Sequence, residues 1–300
     1  MAPPVEPHPG FAFTGWDSLH HDIYPAISAS QTKSLAQPGK VVLVTGAGRG
    51  LGRATALQYA HANVKTLILC ARTASQLDEV ESAIASINSS IRVLKYTLDV
   101  TNTDAVKKTA EDVTAKEGRL DVLVNNAGYS SEWVSLTECD PEEWWLTLDI
   151  NLKGCFLLQH AFLPLLASTA AQNSSSVHVI NVSSVGAHTA QPGASAYNIS
   201  KFALLRLNDF VNVEYGAKGV NAIAIHPGGV VTELSKNVAE IQQYLTDTPE
   251  LFGGFSVWLT SKPRPWLSGR YVSAVWDAEK LESMKDEIVE GDKLKMKMTV

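Results

Sequence analysis

The stretch Val41-Val42-Leu43-Val44-Thr45-Gly46-Ala47-Gly48-Arg49-Gly50-Leu51-Gly52 decides how this chain reads. A β-branched run of strand length breaks into closely spaced glycines, and Arg53-Ala54-Thr55-Ala56-Leu57 then opens a helix. Glycines allow a tight turn and close backbone approach to a pyrophosphate, while the free N–H groups and dipole of the helix start favour negative charge. An ordinary strand-to-helix turn uses the same residue types, so a single glycine triplet does not decide the matter. Partners farther along the chain decide it.

Those partners follow in order. Asn125-Asn126-Ala127-Gly128 closes the apolar run Leu120 to Val124, and Asn181-Val182-Ser183-Ser184 closes another. Tyr197-Asn198-Ile199-Ser200-Lys201 opens a helix ahead of a turn at Pro227-Gly228. On these residues the chain resembles the short-chain dehydrogenase/reductase family, whose marks are TGxxxGxG, NNAG, a serine, YxxxK and a PG turn. The resemblance runs from about Lys40 to about Asp277. It implies a nicotinamide cofactor and hydride transfer at a site built from these motifs.

Composition and pattern agree. A chain of 300 residues, 45% of them hydrophobic, buries a large core. Apolar runs at 41–45, 66–71, 91–97, 120–124, 177–182, 220–226 and 270–276 alternate with helical patterns near 51–62, 74–87, 103–117, 141–168 and 196–216. This alternation predicts a single α/β domain with a doubly wound parallel sheet of the Rossmann type, binding ligands at the carboxyl ends of its strands. Residues 1–39 read as an irregular N-terminal strap and 40–300 as one NADP-binding reductase domain. Within it the segment at about 230–268, with Tyr244, Phe252, Phe255, Trp258 and Trp266, reads as a substrate lid or a subunit contact.

Net charge is −6 with no basic stripe, which argues against a nucleic-acid partner. Cys70, Cys139 and Cys155 form no CxxC pair and read as buried thiols in a reducing compartment. No metal is expected, since the adjacent His20-His21 lack further ligands. Met1 to Gly10 lacks the basic start and apolar core of a secretory signal, and no apolar run reaches membrane-spanning length. Lys295 to Val300 is neither a retention nor a peroxisomal address. A cytoplasmic protein is expected.

The cofactor is read from the end of the second strand. There an acidic side chain accepts the ribose 2′-hydroxyl of NAD, whereas the 2′-phosphate of NADP needs positive charge. Ala71 stands where NAD-type relatives place Asp, Arg72 follows it, and Arg49 sits inside the glycine turn, so NADP(H) is expected. Arginines that merely face solvent are the competing reading. The resemblance adds Gly46, Gly50, Leu51 and Gly52 in the turn, Asp99 and Val100 at the adenine, and Asn126, Ala127 and Gly128 after the fourth strand. It further adds Tyr197 and Lys201, and Pro227, Val230 and Thr232 at the nicotinamide carboxamide. Asp99 and Thr232 also read as helix caps.

The catalytic reading starts from Tyr197 and Lys201, whose spacing of four puts both on one helix face. A phenol with a pKa of about 10 works near neutral pH only if stabilised by roughly 4 kcal/mol, which Lys201 and an oxidised nicotinamide ring would share. The resemblance supplies Ser184 to bond the carbonyl oxygen, with Ser183 as the rival one residue off the family spacing. It also supplies Asn151 to hold a water beside the lysine; a plain hydrogen-bonding helix residue is the alternative there. His226 reads as a packed strand-end histidine. His188 reads as a substrate contact or as a loop histidine without a role.

The charged ending after Asp277 and the long strap depart from the usual family pattern and are similar to reductases of fungal specialised metabolism. The expected activity is NADPH-dependent reduction of a ketone carbonyl on a small hydrophobic metabolite, or oxidation of the matching alcohol, with Tyr197 as acid or base. A nucleotide-binding sensor or a non-redox enzyme on the same fold is the alternative, since fold does not fix function. The complete set of Asn151, Ser184, Tyr197 and Lys201 favours the enzyme. The expected partners are the small carbonyl or alcohol and further copies of the chain, as a dimer or tetramer, without nucleic acid or membrane.

Overall fold

Five consecutive apolar or β-branched residues form β1 (Val41–Thr45), and all five are buried, as in a strand covered on both faces. Beside it lie β2 (Thr66–Ala71), β3 (Arg92–Thr97), β4 (Val122–Asn125), β5 (Val177–Val182), β6 (Val220–His226) and β7 (Arg270–Ser273). The sheet is parallel throughout, in the order β3-β2-β1-β4-β5-β6-β7. The computed structural model describes residues 10–173, 176–236 and 238–298.

Alternate strand residues feed two layers. Val42 and Val44 share a core with Tyr59 of α1 (Gly50–His61), Val80 of α2 (Ala74–Ile87) and Phe252 and Phe255 of α7 (Pro249–Ser261). Val41 and Leu43 face the opposite layer, with Val106 and Val113 of α3 (Thr103–Glu117) and Leu158 and Phe162 of α5 (Gly154–Asn173). Val44 pairs with Leu69 of β2 on one side and Val124 of β4 on the other. The strand order therefore reverses at β1, and a crevice opens at the carboxyl ends of β1 and β4.

Three expectations change. The helix read over 141–168 is α4 (Pro141–Leu148), a π turn (Asp149–Lys153) and then α5. Run together as Pro141–Gln172, it is long and apolar enough to cross a bilayer, contrary to the reading that no run reaches that length. Leu157, Leu158, Phe162 and Leu166 of this run instead pack in the core.

The segment 230–268 divides. Residues 230–236 and 243–247 border the main cleft, but Pro249–Ser261 form α7, whose Phe252, Phe255 and Trp258 are buried in the core rather than over a substrate. A Cβ at Gly253 would lie 3.0 Å from the Ala54 carbonyl oxygen, and one at Gly254 2.8 Å from that of Ile27. These two glycines let α1 and the strap close on α7.

Residues 1–9 of the strap lie outside the described residues. From residue 10 onward it is irregular apart from short 3-10 turns, and Ile27 is fully buried. The Trp276 indole donates to the Phe11 carbonyl (2.7 Å), and the Ala278 N–H donates to the Tyr24 hydroxyl (2.7 Å). His20 stacks on Tyr24 and donates to Asp277 (2.8 Å), while His21 donates to Asp247 (2.5 Å). Among the described residues no His, Cys, Asp and Glu cluster has metal-holding geometry. Cys70 and Cys155 are buried and Cys139 half-buried. After α8 (Ala278–Ser283) and α9 (Lys285–Glu290) the chain returns to β7, where the Tyr271 N–H donates to the Leu294 carbonyl (2.9 Å).

Candidate active site

Thr45 joins the two turns that flank the crevice. Its hydroxyl accepts from the N–H groups of Asn126 and Ala127, both at 3.0 Å, and donates to the Val124 carbonyl at 3.3 Å. The Asn126 amide donates back to the Thr45 carbonyl (2.8 Å). The close approach explains the glycines: a Cβ on Gly52 would sit 2.2 Å from the Gly46 carbonyl oxygen, and Gly46 itself has φ +63°. α1 begins without a side-chain cap and without an acid in its first turn, so its positive end faces the cleft lined by Gly46, Gly48, Gly50 and Leu51. Gly52 lies beneath that lining.

Near the ends of β2 and β3, Arg72, Asp99 and Val100 line the cleft, together with Arg49, Thr73 and Gln76. The Thr101 backbone N–H (2.9 Å) and hydroxyl (2.8 Å) both donate to Asp99; with the nearby Arg72 charge they hold its carboxyl below the usual range, against the opposing effect of burial. Asp99 is not the cap of α3. Asn102 is, accepting from the Ala105 N–H at 2.9 Å. Arg49 is 57% exposed and lies 3.7 Å from Glu233. Thr232 caps no helix, because it closes a turn in which its N–H donates to the Ser235 hydroxyl (2.9 Å).

The side chains expected to react converge where β5 meets α6 (Ser195–Tyr215). Ser184 and Tyr197 meet through their side chains, and the Ser184 oxygen accepts from the Gly186 N–H (3.1 Å). The Ser183 hydroxyl instead donates to the Lys201 carbonyl (3.0 Å) and is buried. Lys201, only 4% exposed, donates to the Val182 carbonyl (2.9 Å), and its Nζ lies 5.5 Å from the centre of the Tyr197 ring. Burial pushes the Tyr197 phenol up and outweighs the lowering by Ser184. Burial likewise pulls the Lys201 ammonium down to about 8.

Asn151 stands in the middle of the π turn, behind the cleft rather than in its lining. It accepts from the Tyr129 N–H (2.8 Å) and donates to the Tyr129 carbonyl (2.8 Å) and the Ser200 hydroxyl (2.9 Å). Ser200 in turn donates to the Tyr197 carbonyl (2.7 Å). A Cβ on Gly128 would lie 3.4 Å from Asn151 Oδ1 and 3.6 Å from Lys201 Nζ, so both atoms face that glycine.

His188 does not border this cleft. Its ring meets Tyr271 edge-on at 4.4 Å and lines a separate cavity. His226 packs at the end of β6 and accepts from the Val185 N–H (3.4 Å). Thr45 and Ser200 were visible within their motifs, and their linking roles emerge only from the fold. Asp247 has no sequence signal at all: its partners Gly229 and His21 are 18 and 226 residues away.

The main cleft measures about 1710 Å³, larger than the roughly 300–1,000 Å³ of an ordinary ligand pocket. Tyr129, Trp133, Val185 and Tyr244 also line it, with Phe11 and Leu19 of the strap.

The sequence of the short chain dehydrogenase family matches this chain over residues 40–243. The Monascus ruber short chain dehydrogenase citE is 46% identical over 298 residues, covering 97% of this chain and 99% of its own. The Monascus ruber short chain dehydrogenase pigC is 38% identical over 287 residues, 93% of this chain and 92% of its own. A Shigella flexneri short chain dehydrogenase solved with NADP has a TM-score of 0.73 at 26% identity, over 81% of this chain and 99% of that one. Such agreement extends from the glycine turn past Pro227-Gly228, and by it the chain belongs to the short chain dehydrogenase family of oxidoreductases.

Proposed function

We propose that the protein is an NADP(H)-dependent enzyme that reduces the ketone carbonyl of a small hydrophobic metabolite or oxidises the corresponding alcohol. The observation that carries this reading is the meeting of the Ser184 and Tyr197 side chains with the Lys201 ammonium, 5.5 Å from the tyrosine ring, in one cleft. The cleft also fits a dinucleotide, since its glycine turn exists only because Gly52 lacks a Cβ. A nicotinamide dinucleotide supplies the hydride when bound. Gly46, Gly50, Leu51 and the start of α1 hold its pyrophosphate, Arg49 and Arg72 its 2′-phosphate, and Asp99 and Val100 its adenine. Asn126, Ala127 and Gly128 line its path, and Pro227, Val230 and Thr232 meet the carboxamide.

Tyr197, kept protonated by burial, gives its proton to the carbonyl oxygen in reduction, and Ser184 donates to the same oxygen as its charge develops. Lys201 has two donors beyond the one on Val182 for the ribose hydroxyls, and its charge favours the phenolate left behind. Asn151 completes the set from behind by fixing Tyr129 and Ser200. The free buried thiols accord with a cytoplasmic setting, and the exposed apolar side chains of α4, α5 and α6 accord with a homo-oligomer.

The test is NADPH consumption with a panel of ketones, quinones and β-keto compounds. Tyr197→Phe should lower turnover by about 100-fold or more while NADPH still binds. Near-normal turnover in that variant removes the tyrosine from the reaction.

A further inference from the structure

Between the end of β6 and α7 the chain leaves the sheet, borders the cleft and returns at Asp247. There it forms a parallel bridge with Val230, and the Asp247 N–H donates to the Gly229 carbonyl (2.8 Å). The Asp247 carboxylate, 6% exposed, accepts from the Gly229 N–H (2.5 Å) through one oxygen and from His21 Nδ1 (2.5 Å) through the other. The turn is fitted around that carboxylate: Gly228 has φ +101°, and a Cβ on it would lie 2.7 Å from Asp247 Oδ2. Two further contacts bind the strap here. The Thr248 N–H donates to the His21 carbonyl (2.9 Å), and the Thr248 hydroxyl to Asp22 (2.5 Å).

We propose that Asp247 is a positioning residue for the reaction, its buried carboxylate fixing the Pro227–Gly229 turn against the nicotinamide end of the cleft and, through His21, making the N-terminal strap a working part of the site. This rests on the functional reading above. A buried carboxylate needs close donors, and among the described residues its two donors come from the turn and the strap. Phe11, Leu19 and His21 of the strap line the same cleft as Pro227, Gly228 and Gly229.

A strap that only covered the core would act through other groups. Ile27, Tyr24, His20 and the Phe11–Trp276 contact anchor it on the α7 and α8 side. His21, 63% exposed, stands outside that packing. Its loss should therefore leave the fold standing and disturb the turn.

The experiment is an NADPH fluorescence titration with parallel steady-state kinetics and thermal melts, on the wild type, His21→Ala, Asp247→Ala and Asp247→Asn. Asp247→Ala strands the Gly229 N–H and should weaken NADPH binding by about 10-fold or more. Asp247→Asn keeps an amide oxygen for that N–H and should recover to within about 3-fold of the wild type. His21→Ala should weaken binding by about 3-fold with an unchanged melting temperature, a split that a purely structural role would not give. If Asp247→Ala does not fold, the His21→Ala result decides alone. Wild-type NADPH affinity in His21→Ala, or losses that merely track melting temperature, overturn the positioning role. A wild type that binds no NADPH overturns the functional reading and this role with it.

Discussion

Burial opposes the charged forms of both Tyr197 and Lys201, pushing the phenol up and the ammonium down to about 8. The consequence for reduction has a definite sign. Below pH of about 8 Lys201 is charged while Tyr197 holds its proton; above it Lys201 becomes neutral and Tyr197 is still a phenol. The kcat/KM for reduction should therefore hold level up to that pH and fall beyond it. Lys201→Arg should move the fall to higher pH, because a guanidinium does not titrate in this range. A pH–rate profile unchanged by Lys201→Arg would assign the fall to another group. At the far end of the cleft, Arg72→Asp places a carboxylate where the 2′-phosphate would sit. The wild type should prefer NADPH over NADH by at least about 10-fold in kcat/KM, and the variant should lose most of that preference. Equal use of both cofactors by the wild type would mean that neither Arg49 nor Arg72 reads the phosphate.

At the scale of elements, the strands and the helices that flank them were legible because period and length agree: a buried five-residue run such as Val41–Thr45 has few other solutions. α7 was hidden. Gly253-Gly254 and three bulky aromatics have poor helix propensity, and burial against α1 overrides it. The π turn was hidden for another reason, since residues 149–153 carry no helix-breaking signal and the irregularity shows only in backbone bonding. Gly254→Val should confirm what the glycine does. The added carbons would enter the space of the Ile27 carbonyl and the Ile23 side chain, at a cost of about 1–3 kcal/mol. Thermal melting should show that loss, and limited proteolysis should cut the strap sooner than in the wild type.

Across the whole molecule, the site's residue types were legible from the motifs while its supports were not. Ser184, Tyr197 and Lys201 stand in spacings that local sequence reports. The bonds from Asn151 to Tyr129 and Ser200 and from Asp247 to Gly229 and His21 depend on chain returns that no local pattern encodes. The outer surface carries its own signal. Ile199, Phe202, Phe210 and Val213 are exposed along α6 at three- and four-residue intervals around Arg206, an apolar stripe on the side away from the core. Phe210→Glu should shift the protein towards its 32.4 kDa monomer in light scattering. A wild type already monomeric, or a variant of unchanged mass, would free that stripe from any role in assembly.

The bridge between Val230 and Asp247 makes residues 231–246 a closed loop whose two ends occupy one place on the scaffold. Evolution can lengthen, shorten or replace such a loop without re-registering the sheet, because doubling its length costs only about 0.6 kcal/mol in closure entropy. Changes within this loop therefore leave the sheet, Tyr197 and the glycine cradle in place.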